Sequence, residues 1–129
     1  MRYLTAEEML VLHALVIDGY GGSHGVRDVA LLESIVHKPR AAFGGKDLYP
    51  TFCGKAAAFC EAIVNFHVFV DGNKRTALIA TARFLVMNGY ELTATNKEAE
   101  FIILNVATKE TDVESLALWI KKHSKRIRA

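Results

Sequence analysis

The sequence predicts an all-α fold, a compact helical bundle built as one domain. Three features point there. Apolar residues recur at helical spacing behind recognisable N-terminal caps. No segment alternates with the two-residue period of a half-buried strand. Two nearly apolar runs, 56–66 and 77–87, are long enough for buried helices and enclose a short polar stretch, His67-Val68-Phe69-Val70-Asp71-Gly72-Asn73-Lys74-Arg75-Thr76.

Thr5-Ala6-Glu7-Glu8 is a capping box, in which the Thr5 oxygen accepts from the Glu8 amide and Glu8 reaches back. Met9, Leu10, Leu12, His13, Leu15, Val16 and Ile17 follow at helical spacing, and the helix ends near Asp18-Gly19-Tyr20-Gly21-Gly22. His13 reads as a histidine at the edge of the core rather than a ligand. Asp28 is the expected N-cap of a second helix, 29–38, stopped by Pro39. Residues 41–51 are the one long irregular stretch. There Gly44-Gly45 can turn, and Leu48-Tyr49 suits a short extended flap. A loop of this length in so small a domain usually has a role.

Residues 52–66 read as a helix that is apolar nearly all round and therefore central. The next helix runs from about Asn73 to an Asn88-Gly89 C-cap. Glu91-Leu92-Thr93-Ala94 is expected to be a brief connector. Thr95 or Asn96 then caps a helix to about Thr108, with Phe101, Ile102, Leu104 and Val106 on its buried side. Thr111-Asp112-Val113-Glu114 reads as a second capping box, opening a last helix with Leu116, Leu118, Trp119 and Ile120. No repeat, low-complexity tract or boundary divides residues 1–129.

The chain is 51% hydrophobic and 23% charged, an ordinary globular balance. It has no apolar run able to span a bilayer and no basic-then-apolar leader, so a cytoplasmic protein without a membrane partner is expected. Cys53 and Cys60 are seven residues apart, about 10 Å along a helix, too far to bridge. They read as reduced thiols. The net charge of +2 conceals an uneven distribution, because Lys121, Lys122, Lys125, Arg126 and Arg128 crowd a basic tail, 121–129. With no aromatic residue interleaved, the tail reads as cations at a helix C-terminus and a fraying end. Nucleic acid is not expected as a partner.

The polar stretch carries the chemistry. Buried charge without a partner costs several kcal/mol in order of magnitude, so polar groups between two core segments point to a ligand. Gly72 and Asn73 open a helix whose free amides and dipole suit an anion. Lys74 and Arg75 stand where that dipole opposes cations, a local conflict that phosphate would resolve. Asp71 would repel phosphate unless Mg²⁺ lies between. His67, across the loop, can take a proton from an incoming hydroxyl. Phe69 reads as the anchor that pins the loop into the core. These are parts for phosphoryl or nucleotidyl transfer.

The same residues, His67-Val68-Phe69-Val70-Asp71-Gly72-Asn73-Lys74-Arg75-Thr76, resemble the signature loop of the Fic/Doc superfamily. They are closest to its Doc branch, the "death on curing" toxins. The Thr5-Ala6-Glu7-Glu8 opening, the Tyr20-Gly21-Gly22 turn and the helix after Asp28 are Doc-like too, so the resemblance covers the whole chain. It implies a Fic-like bundle with the loop between two central helices. AMP-transferases of the wider superfamily have Pro where this chain has Val68, Gly where it has Lys74 and a further Arg where it has Leu78. These departures fit the Doc branch. That branch implies a protein Ser/Thr kinase, the toxin of a toxin–antitoxin pair, passing the γ-phosphate of ATP to a translation elongation factor and arresting growth.

Carried onto this chain, the resemblance makes His67 the general base and Asp71 the Mg²⁺ ligand. Gly72, Asn73, Lys74 and Arg75 become the phosphate binders, and Asp47-Leu48-Tyr49 the flap beside the target. The inhibitory S/T-x-x-x-E motif of many Fic proteins is absent, since no Ser or Thr lies four residues before a Glu. The resemblance therefore implies a separate, Phd-like antitoxin that folds as a helix into a groove of this chain. Two alternatives stand beside the kinase: an AMP-transferase of the same fold, and a catalytically silent interaction module.

Overall fold

A computed structural model describes residues 1–128, which contain six α-helices and four very short strands. The helices are α1 (Ala6–Tyr20), α2 (Val29–His37), α3 (Phe52–Phe66), α4 (Asn73–Met87), α5 (Asn96–Ala107) and α6 (Val113–Lys122). The strands are β1 (Ala42–Phe43), β2 (Lys46–Asp47), β3 (Tyr90–Leu92) and β4 (Ser124–Arg126). Among the described residues no helix is long and apolar enough to cross a membrane.

The caps explain most helix starts. Thr5 and Glu8 form the reciprocal box on α1, and Thr95 and Glu98 form another on α5. Asp28 accepts from the Leu31 amide at 3.0 Å. Pro39 does stop α2, and the chain tightens into a 3₁₀ turn, Lys38–Arg40. The expected box at Thr111 is absent: Asp112 is the N-cap of α6, accepting from Ser115 at 2.8 Å. With Ser115 at the third helical position, no long side chain is there to reach back.

α3 forms the axis. Nine of its residues, among them Ala56, Ala57, Ala58, Phe59 and Ile63, are buried against α4, α6, α5, α2 and the 3₁₀ turn. The alanines let the neighbouring helices approach closely, while Phe59 and Phe84 meet at 5.9 Å in the centre. On α5 the buried face is Ala99, Ile102, Ile103 and Val106, so Phe101 and Leu104 point outward, contrary to the expected stripe. Leu118 of α6 is likewise exposed. Cys60 is buried, Cys53 half-buried, and both are free.

Two expectations fail at the connections. Glu91-Leu92 is part of β3, which pairs antiparallel with β4 in the register Tyr90↔Arg126, Glu91↔Lys125 and Leu92↔Ser124. The basic tail is therefore not a fraying end through Arg126. It is clasped by backbone bonds and by a Lys125–Glu91 ion pair at 3.3 Å. Its last residue, Ala129, lies outside the described residues. In the flap, the extended residues are Ala42–Phe43 and Lys46–Asp47, which pair across Gly44-Gly45, whereas Leu48 and Tyr49 follow as bends. Both glycines have positive φ, so the tight turn fell where two such residues adjoin.

Candidate active site

The loop between α3 and α4 begins at a backbone irregularity. His67 caps α3 in the left-handed region, φ 50 and ψ 48. That conformation turns the chain sharply and leaves the His67 side chain exposed, while Val68 and Phe69 drop back into the core, fully buried. For a residue with a Cβ it is strained and must be held by its surroundings.

The surroundings hold it from three sides. The α1–α2 connection pairs with the loop like a short sheet: the Arg27 amide donates to the Val68 carbonyl at 2.7 Å, and the Val70 amide to the Gly25 carbonyl at 3.0 Å. From α4, the Asn73 side chain spans both backbone groups of Phe69, accepting from its amide at 3.0 Å and donating to its carbonyl at 2.9 Å. From α1, the buried His13 stacks on Phe69 at 3.9 Å and places Nε2 2.8 Å from the Asp71 carbonyl. A carbonyl can only accept, so Nε2 carries the proton.

Gly72 is the N-cap of α4, with φ 73. A Cβ there would lie 3.0 Å from Ile17 Cδ1, so both backbone angle and space call for glycine. The Asp71 carboxylate is exposed but oriented: Oδ1 accepts from the Gly72 amide at 2.9 Å and Oδ2 from the Ser23 amide at 3.2 Å. Gly22 makes this possible, because a Cβ on it would stand 2.7 Å from Oδ2. Each oxygen keeps a free lone pair. Among the described residues no cluster of three or more His, Cys, Asp or Glu could hold a metal ion. Asp71 alone fits Mg²⁺, which binds through one or two carboxylates plus substrate oxygens.

Intrahelical bonding in α4 starts with the Thr76 amide on the Gly72 carbonyl at 2.9 Å. The amides of Asn73, Lys74 and Arg75 therefore precede the helical ladder, at the positive end of its dipole. Lys74 and Arg75 are exposed, and among the described residues neither forms an ion pair. Arg75 instead lies over the Tyr20 ring, 3.9 Å from its centroid. Both cations border an open cavity of about 300 Å³, completed by Leu78, Glu100, Ile103 and Leu104. His67 does not line that cavity; it stands at the other end of the loop.

The flap is more distant. Asp47 is tied to Lys55, near the start of α3, by an ion pair at 3.3 Å. His67 caps the opposite end of that helix, about 18 Å further along. Among the described residues no hydrogen bond or ion pair joins Asp47, Leu48 or Tyr49 to the loop.

Several supports were not singled out in the sequence: the His13 bond to Asp71, the Ser23 amide, the Tyr20 platform and buried Lys55. His13 had a signal, since it shares a helix face with Met9, Val16 and Ile17, and a buried imidazole there needs a partner. Lys55 had one too, as a cation inside an otherwise apolar helix face.

Residues 3–85 match the family described as Fic/DOC. The chain is 39% identical over 118 residues to a protein named Toxin Doc from Mycolicibacterium smegmatis (strain ATCC 700084 / mc(2)155), covering 90% of this chain and 88% of that one. It is 32% identical over 117 residues to a protein named Protein kinase doc from Escherichia phage P1, covering 91% of each.

Proposed function

The chain belongs to the Fic/DOC family, and from that premise we propose that it is a toxin acting as a protein Ser/Thr kinase on a translation elongation factor. One observation carries the reading. Two cations that have no carboxylate partner among the described residues sit on the first turn of α4, where the helix dipole opposes them and an anionic ligand would favour them, and an imidazole stands at the far end of the same loop.

In this reading the free amide of Asn73 and the side chains of Lys74 and Arg75 hold the phosphates of ATP, with Arg75 leaving the Tyr20 ring to reach them; Gly72, whose own amide is taken by Asp71, lets the backbone come close to the ligand. Asp71 contributes a ligand to Mg²⁺, which offsets phosphate charge when bound. His67 accepts the proton of a Ser or Thr hydroxyl as that oxygen bonds to the γ-phosphorus. The bond from the γ-phosphorus to the bridging oxygen breaks, and ADP leaves with the electron pair. The held backbone turn at His67 and its exposed imidazole support this role, since a general base must be open to the hydroxyl it deprotonates. The flap, Asp47-Leu48-Tyr49, lies along the target. The antitoxin docks as an apolar-faced helix between α4 and α5, where Leu78, Ile103 and Leu104 line the cavity beside Lys74 and Arg75. The setting is the cytoplasm.

The test is direct. Candidate translation factors are incubated with the protein, Mg²⁺ and ATP labelled at the γ- or the α-phosphorus, and their intact masses are measured. Transfer of the γ-label with the mass of one phosphate is expected. Transfer of the α-label with the mass of AMP would make the protein an AMP-transferase. If expression of His67→Ala halts growth as fully as the wild type, the general-base role is wrong.

A further inference from the structure

We infer that Lys55 is a positioning residue, whose buried ammonium sets the angle of the flap hairpin and so aligns the protein target. The alignment clause rests on the function proposed above; the tether does not. Among the described residues Lys55 is the one buried Lys, Arg, Asp or Glu. Its side chain is 8% exposed, against 55% for its partner Asp47. Nζ donates to the Pro39 carbonyl at 3.1 Å and to Asp47 Oδ2 at 3.3 Å. One side chain thus grips both the 3₁₀ turn before the hairpin and the last residue of its second strand.

The hairpin has little else to hold it. Every residue from 42 to 48 is exposed, including Phe43 at 83%. A two-stranded hairpin with no buried face is marginal by itself. Its pairing, Ala42 opposite Asp47 and Phe43 opposite Lys46, and the bond from the Leu48 amide to the Ala41 carbonyl at 2.9 Å close the hairpin on itself rather than on the bundle. The orientation of β1 and β2 therefore depends on the ammonium beneath them. The grip is also asymmetric. Without Asp47, a buried cation keeps only one carbonyl, whereas without the cation the exposed carboxylate hydrates and the relief of a buried charge offsets the bond lost at the Pro39 carbonyl.

The asymmetry makes the inference testable on the intact protein. Wild type, Lys55→Met and Asp47→Asn are digested briefly with chymotrypsin, and cleavage after Phe43 is followed by mass. Thermal midpoints, MgATP affinity and growth arrest are measured on the same three. Lys55→Met is expected to be cut about tenfold faster after Phe43, with a midpoint equal to or above wild type. Its MgATP affinity should be unchanged and its growth arrest weakened. Asp47→Asn should lower the midpoint. A lysine with a merely structural role would move flap cleavage and midpoint together. Cleavage of Lys55→Met at the wild-type rate, or a loss of MgATP affinity in that variant, would overturn the inference. Should the wild type itself fail to arrest growth, the kinase reading falls, and the cleavage rates still decide the tether.

Discussion

The imidazole of His13 lies parallel to the Phe69 ring, centroids 3.9 Å apart and planes within 4°, while its Nε2 donates to the Asp71 carbonyl at 2.8 Å. A single side chain of α1 thereby fixes both the apolar anchor and the polar turn of the loop. The two contributions can be separated. His13→Phe keeps a stacked ring and leaves the Asp71 carbonyl without its donor, for a loss of about 1–3 kcal/mol. His13→Ala also opens a cavity, for about 3–5 kcal/mol, the range of large buried rings. Urea unfolding of both variants checks the order; a Phe variant as unstable as the Ala variant would remove the bond from the account.

The left-handed backbone at His67 predicts an inversion of the usual ranking of Ala and Gly. Alanine at a position with φ 50 keeps the Cβ clash, and glycine relieves it. His67→Gly should be more stable than His67→Ala by about 1 kcal/mol. Both should lose growth arrest, because both lack the imidazole. Equilibrium unfolding of the pair, beside the expression assay, separates strain from chemistry.

Lys74 should show a trade between stability and function. Removing a cation from the first turn of a helix favours folding, so Lys74→Ala should gain about 0.3–1 kcal/mol at low salt while losing MgATP affinity. Arg75→Ala should gain less, because it also forfeits the Tyr20 stack, worth about 0.5–1 kcal/mol. Calorimetric titration with MgATP and urea unfolding test both halves.

The two thiols should respond differently to base and to alkylation. Burial pushes Cys60 up from an ordinary 9.0 to about 11. Its folded pKa is thus raised, so its contribution is complete below about pH 9 and is lost as pH rises from there through about 11. The loss amounts to about 2–3 kcal/mol at most. The stability gap between wild type and Cys60→Ala, measured from pH 8 to 11, should shrink over that window. Cys53 is also raised by partial burial, with Lys121 opposing, but it is more accessible. Iodoacetamide at pH 8 should mark Cys53 first, as peptide mapping will show.

Much of this arrangement was legible because it is local. Thr5 with Glu8, Asp28, Pro39, and Asn88 with Gly89 mark boundaries through interactions a few residues apart, and the helices follow. The contiguous polar run from His67 to Arg75 announced itself between two apolar segments. The β3–β4 clasp did not, because three residues are too few for a period and the pairing joins Tyr90 to Arg126 across the chain. Phe101 and Leu104 were misplaced because α5 offers more apolar residues than one face can hold. Long-range partners such as His13 with Asp71, or Lys55 with Asp47, are set by tertiary packing alone.

The two ends of α3 are fastened very differently. Around His67 the chain is stitched by main-chain bonds from Gly25 and Arg27, by Asn73 and by His13, so almost any substitution there is felt by several neighbours. The hairpin at the other end hangs from one lysine, and of its seven outward residues all but Asp47 can vary without disturbing the bundle. On the function proposed above, descendants of this chain would exchange one victim for another over evolutionary time far more readily than they would abandon the chemistry used against it.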